Sequence, residues 1–320
     1  MRILKLFVLA AIAMMVFASY NTIPTHAQSG LTIGFSQIGS ESGWRTSETV
    51  SIKAEAEKRG IKLLFDDAQQ KQENQIKALR SFIAQGVDAI LLAPVVETGW
   101  DDVLKEAKDA GIPVVLVDRG VKVDDDSLYL TKVSSDFVHE GRLAAAWLAQ
   151  RTNGICQIVE LQGTIGSSAA IDRQKGFADV IALFPEMKII ATQSGDFTRD
   201  GGKKVMEAFL KAQDPKTICA VWAHNDDMVL GAIQAIKEAG LKPGVDILTI
   251  SVDAVPDIFK AMADGEANAT VELSPNLGGP AFDAINDFKA GKEVPKWIVS
   301  TSPMYFPATA ADEYAKRSAK

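Results

Sequence analysis

Two loops of this 320-residue chain carry the same short signature. Ile38-Gly39-Ser40 is followed by Arg45, and Ile165-Gly166-Ser167 is followed by Arg173. Two other segments end in Val-Asp, at Val117-Asp118 and Val252-Asp253. They are preceded by the matching runs Lys108-Asp109-Ala110-Gly111-Ile112 and Lys237-Glu238-Ala239-Gly240-Leu241. Arg119 follows the first of these aspartates, and Asn225 closes the run Ala223-His224-Asn225. Carboxylates accept hydrogen bonds, guanidiniums donate them in a fixed fork, and an amide does both. Such a set suits a small ligand rich in hydroxyl groups. Trp44 and Phe197, in Gly43-Trp44-Arg45 and Gly195-Asp196-Phe197, are placed to cover the apolar faces of a ring.

The elements that must position these residues alternate regularly. Short apolar runs at 31–36, 61–65, 87–93 and 113–117 read as buried parallel strands. Segments of helical period lie between them, at 47–59, 72–84 and 101–110. A fresh set of strands follows Asn153-Gly154, at 156–161, 188–192, 218–223 and 247–252. Strand–helix–strand units at this spacing predict α/β architecture with parallel sheets covered on both faces. Because the matching motifs recur in the same order, two similar doubly wound domains are expected. Ligands of open α/β sheets bind beyond the carboxyl ends of the strands. If the two domains face each other across those edges, Arg45, Asp118, Arg119, Arg173, Asn225 and Asp253 converge on one cleft.

The two cysteines fit the same layout. Cys156 opens the first strand of the second half and Cys219 opens its third. In the strand order 2-1-3-4-5 those strands are neighbours, so a disulfide is expected at the strand starts, away from the cleft.

Composition and the N-terminus narrow the setting. The chain is 47% hydrophobic and 23% charged, with a net charge of −7. That balance excludes a disordered chain and argues against a nucleic-acid or anionic-membrane partner, which would call for a basic face. Arg2 and Lys5 precede an uncharged apolar run at 6–18, and Pro24 and Thr25-His26-Ala27 follow it. This reads as a secretory signal peptide over 1–27, cleaved after Ala27. Its removal takes two positive charges and leaves −9. No cysteine lies near that point to carry a lipid, so a soluble protein of the bacterial periplasm is expected.

Several segments now match a known family. They are Gly34-Phe35-Ser36-Gln37-Ile38-Gly39-Ser40-Glu41-Ser42-Gly43-Trp44-Arg45, Gln70-Lys71-Gln72-Glu73-Asn74-Gln75 and Val159-Glu160-Leu161-Gln162-Gly163-Thr164. Gln193-Ser194-Gly195-Asp196-Phe197-Thr198-Arg199 and Ala223-His224-Asn225-Asp226-Asp227-Met228 complete the set. From about 31 to 307 the chain resembles the periplasmic sugar-binding proteins of ABC transporters, whose cores are shared with LacI-type repressors. Within that family it is most similar to galactofuranose binders. The resemblance implies a type I periplasmic binding protein fold with three crossings between lobes, near 134–136, 268–272 and 298–302. An N-terminal sugar-binding lobe would take 28–135 plus 270–296, and a C-terminal lobe 136–269 plus 297–320. It implies a monosaccharide ligand, galactofuranose first, bound by hinge closure. Arabinofuranose, ribose or galactopyranose are the alternatives. An inner-membrane permease is the implied partner, a chemoreceptor is left open as a second one, and the protein would work as a monomer. The resemblance also implies that Glu41, Ser42, Trp44 and Arg45 form one wall of the pocket, with Gly43 between them. Glu272 would be a polar sugar ligand near the hinge, and Glu41 and Glu272 would select a hexofuranose over a pentose.

Rival readings fare worse. Glycoside hydrolysis needs two carboxyls about 5–10 Å apart across the scissile bond, one of them protonated. Arg119 and Arg173 are expected to keep Asp118 and Asp253 ionised, leaving no general acid. Neither a phosphate-binding Gly-x-x-x-x-Gly-Lys-Ser/Thr loop nor a Gly-x-Ser-x-Gly elbow is present. His139 and His224 are the only histidines beyond the leader, and no Cys/His cluster suggests zinc. Asp124-Asp125-Asp126 lacks the spacing of a calcium loop. No cofactor, metal or catalytic residue is therefore expected. A repressor core is disfavoured by the leader and by the lack of a basic helix-turn-helix.

Overall fold

The computed structural model describes residues 30–318; the leader expected at 1–27 lies outside them. Two six-stranded sheets account for the architecture. The first half runs β1 (Thr32–Gln37), α1 (Gly43–Lys58), β2 (Lys62–Asp67), α2 (Gln72–Ala84), β3 (Ala89–Leu92), α3 (Asp101–Asp109), β4 (Val114–Val117) and β5 (Thr131–Ser134). The second runs α4 (Phe137–Arg151), β6 (Ile155–Gln162), α5 (Ser168–Ile181), β7 (Glu186–Ser194), α6 (Arg199–Ala212), β8 (Ala220–Ala223), α7 (Asp226–Glu238), β9 (Leu248–Asp253), α8 (Pro256–Ala263) and β10 (Ala269–Glu272). The chain ends with α9 (Gly278–Lys289), β11 (Trp297–Val299), β12 (Met304–Tyr305) and α10 (Pro307–Ser318).

The strand orders are β2-β1-β3-β4-β5-β11 and β7-β6-β8-β9-β10-β12. Each is the doubly wound 2-1-3-4-5 order with one added edge strand. All pairs are parallel except β10 with β12. The central strands Ala89–Leu92, Val114–Val117 and Ala220–Ala223 are buried along their whole length, as continuous apolar runs covered on both faces should be. In the first lobe, Leu79, Phe82, Leu92, Trp100, Leu104 and Leu116 fill one face of the sheet. Ile33, Phe35, Ile52, Leu91, Val115, Phe282 and Ile285 fill the other, where α9 packs against α1.

The chain passes between lobes after β5, after β10 and between β11 and β12. Two expected boundaries shift as a result. Residues 270–272 stay with the second lobe because β10 pairs with β9, Thr270 opposite Ser251 and Glu272 opposite Asp253. Residues 297–299 stay with the first because β11 pairs with β5, Ile298 opposite Val133. In both cases the strand completes its backbone hydrogen bonds before the chain leaves the sheet. The first helix also begins at Gly43 rather than at 47, since the Ser42 hydroxyl caps it. Cys156 and Cys219 are disulfide-bonded, with Cα atoms 5.3 Å apart at the starts of β6 and β8.

Candidate ligand-binding site

The carboxyl ends of both sheets meet at a small interlobe cavity. Direct bonds tie the lobes together around it. Gly43 N–H donates to Asp227 Oδ2 at 2.8 Å, Glu97 N–H to the Gly166 carbonyl at 2.9 Å, and Gly120 N–H to Ser168 Oγ at 2.9 Å. The lobes are closed on one another.

The first wall grows from the N-terminus of α1. Ser42 Oγ accepts the Arg45 N–H at 3.1 Å, which fixes the start of the helix and puts Arg45 in its first turn. Glu41 lies just before the cap, four residues ahead of Arg45, and Glu48 lies one turn further along the helix, so both carboxylates reach the guanidinium. Arg45 donates from Nε to Glu41 Oε1 at 3.1 Å, from Nη1 to Glu48, and from Nη2 to Asp118 Oδ2 at 2.6 Å. Burial opposes its charge, but the fields of Glu48, Asp118 and Glu41 outweigh it and hold the guanidinium well above its ordinary value. Burial pushes the Glu48 carboxyl up to about 7, against the pull of Arg45 and a hydrogen bond from Gln37. Arg119 is anchored by donating to the Val95 carbonyl at 2.9 Å, and the Phe197 ring of the opposite lobe lies 5.0 Å from it. Burial and the nearby Arg45 push Arg119 down to about 10, so it stays charged at neutral pH.

The second wall repeats the theme. Arg173 donates from Nε to Glu140 Oε2 at 2.9 Å and from Nη1 to the His224 carbonyl at 2.7 Å. Its Nη2 is 4.0 Å from Asp253. Asp118 and Asp253, the equivalent residues of the repeat, both have positive φ, at 63° and 126°. L residues rarely adopt such backbone, and its cost at matched strand ends marks a site held by its surroundings. Asp253 differs from its expected state. Burial drives its carboxyl well above the ordinary value, and the fields of Asp226, Asp227 and Glu140 add to that against the pull of Arg173. Behind this wall Glu160 meets the buried His224 ring at 3.3 Å, and burial lowers that imidazole below its ordinary value.

Glu41, Ser42, Trp44, Arg45, Asp118, Arg119, Arg173, Phe197, Asn225 and Asp253 all line the cavity, together with Ala169 and Leu273. Four atoms on these residues have no hydrogen-bond partner in the protein: Glu41 Oε2, Asp118 Oδ1, Arg119 Nε and Arg173 Nη2. Two acceptors and two donors therefore converge on one small space, a pattern that hydroxyl groups satisfy in both directions. Some candidates work indirectly. The Ser42 hydroxyl is a helix cap, and Asn225 caps α7 through Met228 N–H while donating to the Phe197 carbonyl at 3.1 Å. Trp44 donates its indole N–H to the Leu273 carbonyl.

Two candidates lie elsewhere. Gly43 does not line the cavity; it carries the cross-lobe bond to Asp227. Glu272 does not line it. Its carboxylate accepts from Tyr305 Oη at 2.8 Å and from Arg317 at 3.2 Å, in a neighbouring cleft that it lines with Trp44 and Asp253. The register of β10 sends its Thr270 hydroxyl to Asp226 and leaves Glu272 to the C-terminal helix. Glu48 and Glu140, which hold Arg45 and Arg173, were missed. The helical spacing from Arg45 pointed to Glu48; nothing local in sequence links Glu140 to Arg173, 33 residues on. Among the described residues no cluster of His, Cys, Asp or Glu could hold a metal ion, and no helix is long and apolar enough to cross a membrane.

Comparison with known proteins places the chain. Residues 33–293 match the model of the periplasmic binding protein domain. The chain is 63% identical over 290 residues to the galactofuranose-binding protein YtfQ of Escherichia coli (strain K12), covering 90% of this chain and 91% of that one. Among solved structures, it is similar to the periplasmic binding protein component of the arabinose ABC transporter from Shewanella sp. ANA-3, bound to α- and β-L-arabinofuranose. That match has 66% identity, a TM-score of 0.88, and covers 89% of this chain and 95% of that one. A Mycobacterium smegmatis protein in complex with β-D-fucofuranose matches at 50% identity with a TM-score of 0.87, covering 90% and 95%. On its two doubly wound lobes, the cavity between them and these likenesses, the chain belongs to the periplasmic binding protein family, with the type I fold.

Proposed function

We propose that the protein captures a monosaccharide in its furanose form, galactofuranose first, by closing its two lobes around it, and delivers it to an ABC transporter permease in the inner membrane. The observation that carries this reading is the cavity between the lobes, into which buried donors and acceptors from both lobes point without a hydrogen-bond partner in the protein. The sugars named for its relatives agree in chemistry. Galactofuranose, L-arabinofuranose and D-fucofuranose share the configuration of their ring carbons and differ in the exocyclic arm. A site that recognises the ring hydroxyls would take all three, and Glu41 stands in the wall with one free oxygen.

Closure is a population shift. A ligand favours the closed form only by binding it better than the open one, which a sugar bridging both walls does. The closed protein then presents a surface composed of both lobes to the permease. The family supports a periplasmic setting. In this reading the carboxyls flanking the cavity serve as hydrogen-bonding walls.

Calorimetry on refolded, sugar-stripped protein tests the reading, with galactose, arabinose, ribose, glucose and a methyl galactofuranoside as titrants. Free galactose should bind with weak apparent affinity because only a minor tautomer is competent, and the locked furanoside tighter by the inverse of that fraction. Tight binding of ribose or glucose with none of galactose would replace the sugar; silence from the whole panel would overturn the ligand class.

A further inference from the structure

Two of the three wall arginines, Arg45 and Arg173, are held by buried glutamates, in different ways. Glu48 serves Arg45 locally, accepting from it and from Gln37 on β1 of the same lobe. Glu140 reaches further. It is fully buried in the first turn of α4, where the helix N-terminus favours a carboxylate. Its Oε2 accepts from Arg173 Nε at 2.9 Å. Its Oε1 accepts from the Ser135 hydroxyl, and from the Ser302 hydroxyl at 3.3 Å. Ser135 lies on the first crossing between lobes and Ser302 on the third. One carboxylate thus touches the sugar-facing arginine on one side and two hinge segments on the other.

We infer that Glu140 is a positioning residue that couples Arg173 to the hinge, so that the torsion of the crossings and the aim of the cavity guanidinium change together. The inference rests on the proposed sugar site only in taking Arg173 Nη2 as a ligand donor. Arg173 is fixed at Nε by Glu140 and at Nη1 by the His224 carbonyl, which leaves Nη2 facing the cavity. The support has little slack. α4 and α5 touch backbone to backbone, and a Cβ on Gly141 would lie 2.2 Å from the Arg173 carbonyl oxygen, one on Gly176 2.0 Å from that of Val138. Arg173 therefore cannot follow a displaced Glu140 by sliding its helix. Opening the hinge moves Ser135 and Ser302 relative to the second lobe, removes donors from Oε1 and loosens the carboxylate that aims the arginine. A sugar bound to Nη2 opposes the same change. This is a shared element biased from two sites, the physical content of coupling.

Ser302 provides the test, because its hydroxyl touches neither the cavity nor Arg173. Sugar dissociation is followed by stopped-flow tryptophan fluorescence, with methyl galactofuranoside as probe and Trp44 in the cavity wall as reporter. Wild type, Ser302→Ala, Glu140→Gln and the double variant form a cycle. Ser302→Ala is expected to speed dissociation several-fold with association unchanged, and Glu140→Gln to weaken binding roughly tenfold, the scale of a hydrogen bond to a charged group. In the Glu140→Gln background the effect of Ser302→Ala should vanish. An unchanged dissociation rate in Ser302→Ala, or the same acceleration in both backgrounds, would overturn the coupling. If Glu140→Gln does not fold, Arg173→Lys replaces it and the same non-additivity is expected. If no sugar binds even wild type, it is the proposed function that fails. The cycle of Ser302→Ala with Arg173→Lys, read from thermal midpoints, then decides this inference, with additive shifts overturning it.

Discussion

Gly43 in the first lobe donates its backbone N–H to the carboxylate of Asp227 in the second, at 2.8 Å, and so fastens the cleft beside the cavity. The other oxygen of Asp227 accepts from Arg199 at 3.0 Å, which keeps the carboxylate in place. Asp227→Ala should leave the cavity wall intact and weaken the closed state. Hydrogen bonds to charged groups are worth about 1.5–3 kcal/mol, so sugar affinity should fall roughly tenfold, chiefly through faster dissociation. Small-angle scattering at half-saturating sugar should show a larger radius of gyration than wild type.

Arg45 stands among three buried carboxylates, and its removal strands them. Breaking a buried ion pair by deleting one partner typically costs about 3–5 kcal/mol. Arg45→Ala should therefore lower stability by that order in denaturant unfolding and abolish sugar binding in calorimetry. Arg45→Lys keeps the charge but cannot reach Glu41, Glu48 and Asp118 at once, so an intermediate loss is expected.

Stability should fall as pH rises from about 5 to 8. Glu48 and Asp226 are each pushed up to about 7 by burial, so folded protein keeps protons that unfolded chain has already released. Their contribution is complete below the unfolded carboxylate range and is lost as pH rises through about 7. His224, held below its ordinary value, works in the opposite direction in part of this window, while Asp253 and Glu140, also raised by burial, add to the carboxyl trend. Thermal midpoints across the range check the sign. Glu48→Gln, which mimics the protonated form, should make the slope shallower by up to one proton, about 1.4 kcal/mol per pH unit. An unchanged slope would show that Glu48 ionises normally.

The Cys156–Cys219 bond joins the starts of neighbouring strands, at the opposite edge of the sheet from the cavity. It closes a loop of 63 residues, for which chain-entropy reasoning gives about 4 kcal/mol. Cys156→Ala with Cys219→Ala should lower the thermal midpoint markedly and leave sugar affinity within about twofold, as calorimetry below the transition can establish.

What could be read from the sequence follows from what is periodic or repeated. Matched Ile-Gly-Ser and Val-Asp motifs exposed the twofold α/β design, and they named residues that the strand ends bring together. The neighbouring first and third strands likewise placed the two cysteines. Features set by register were harder to read. Which way Glu272 turns depends on the phase of a four-residue strand, and its side chain goes to Tyr305 and Arg317. The crossings moved by a few residues because an edge strand ends where pairing ends, and no local composition marks that point. Glu140 meets Arg173 only because two helices cross at glycines, a contact that spacing alone does not contain. The upward shift of Asp253 depends on how deeply it is buried and on which charges the fold gathers around it.

The balance of charge around the cavity has a consequence for what the protein refuses. Glu41, Glu48, Asp118, Glu140 and Asp253 stand against Arg45, Arg119 and Arg173, an excess of two carboxyl groups. Burial raises Glu48 and Asp253, which trims that negative excess without reversing it. A sugar phosphate or a uronic acid would bring a further negative charge among buried carboxyls, where unpaired charge is costly. The lobes are therefore expected to close more readily on a neutral sugar than on its acidic derivatives, so that closure would sort sugars by charge before any hydroxyl is read.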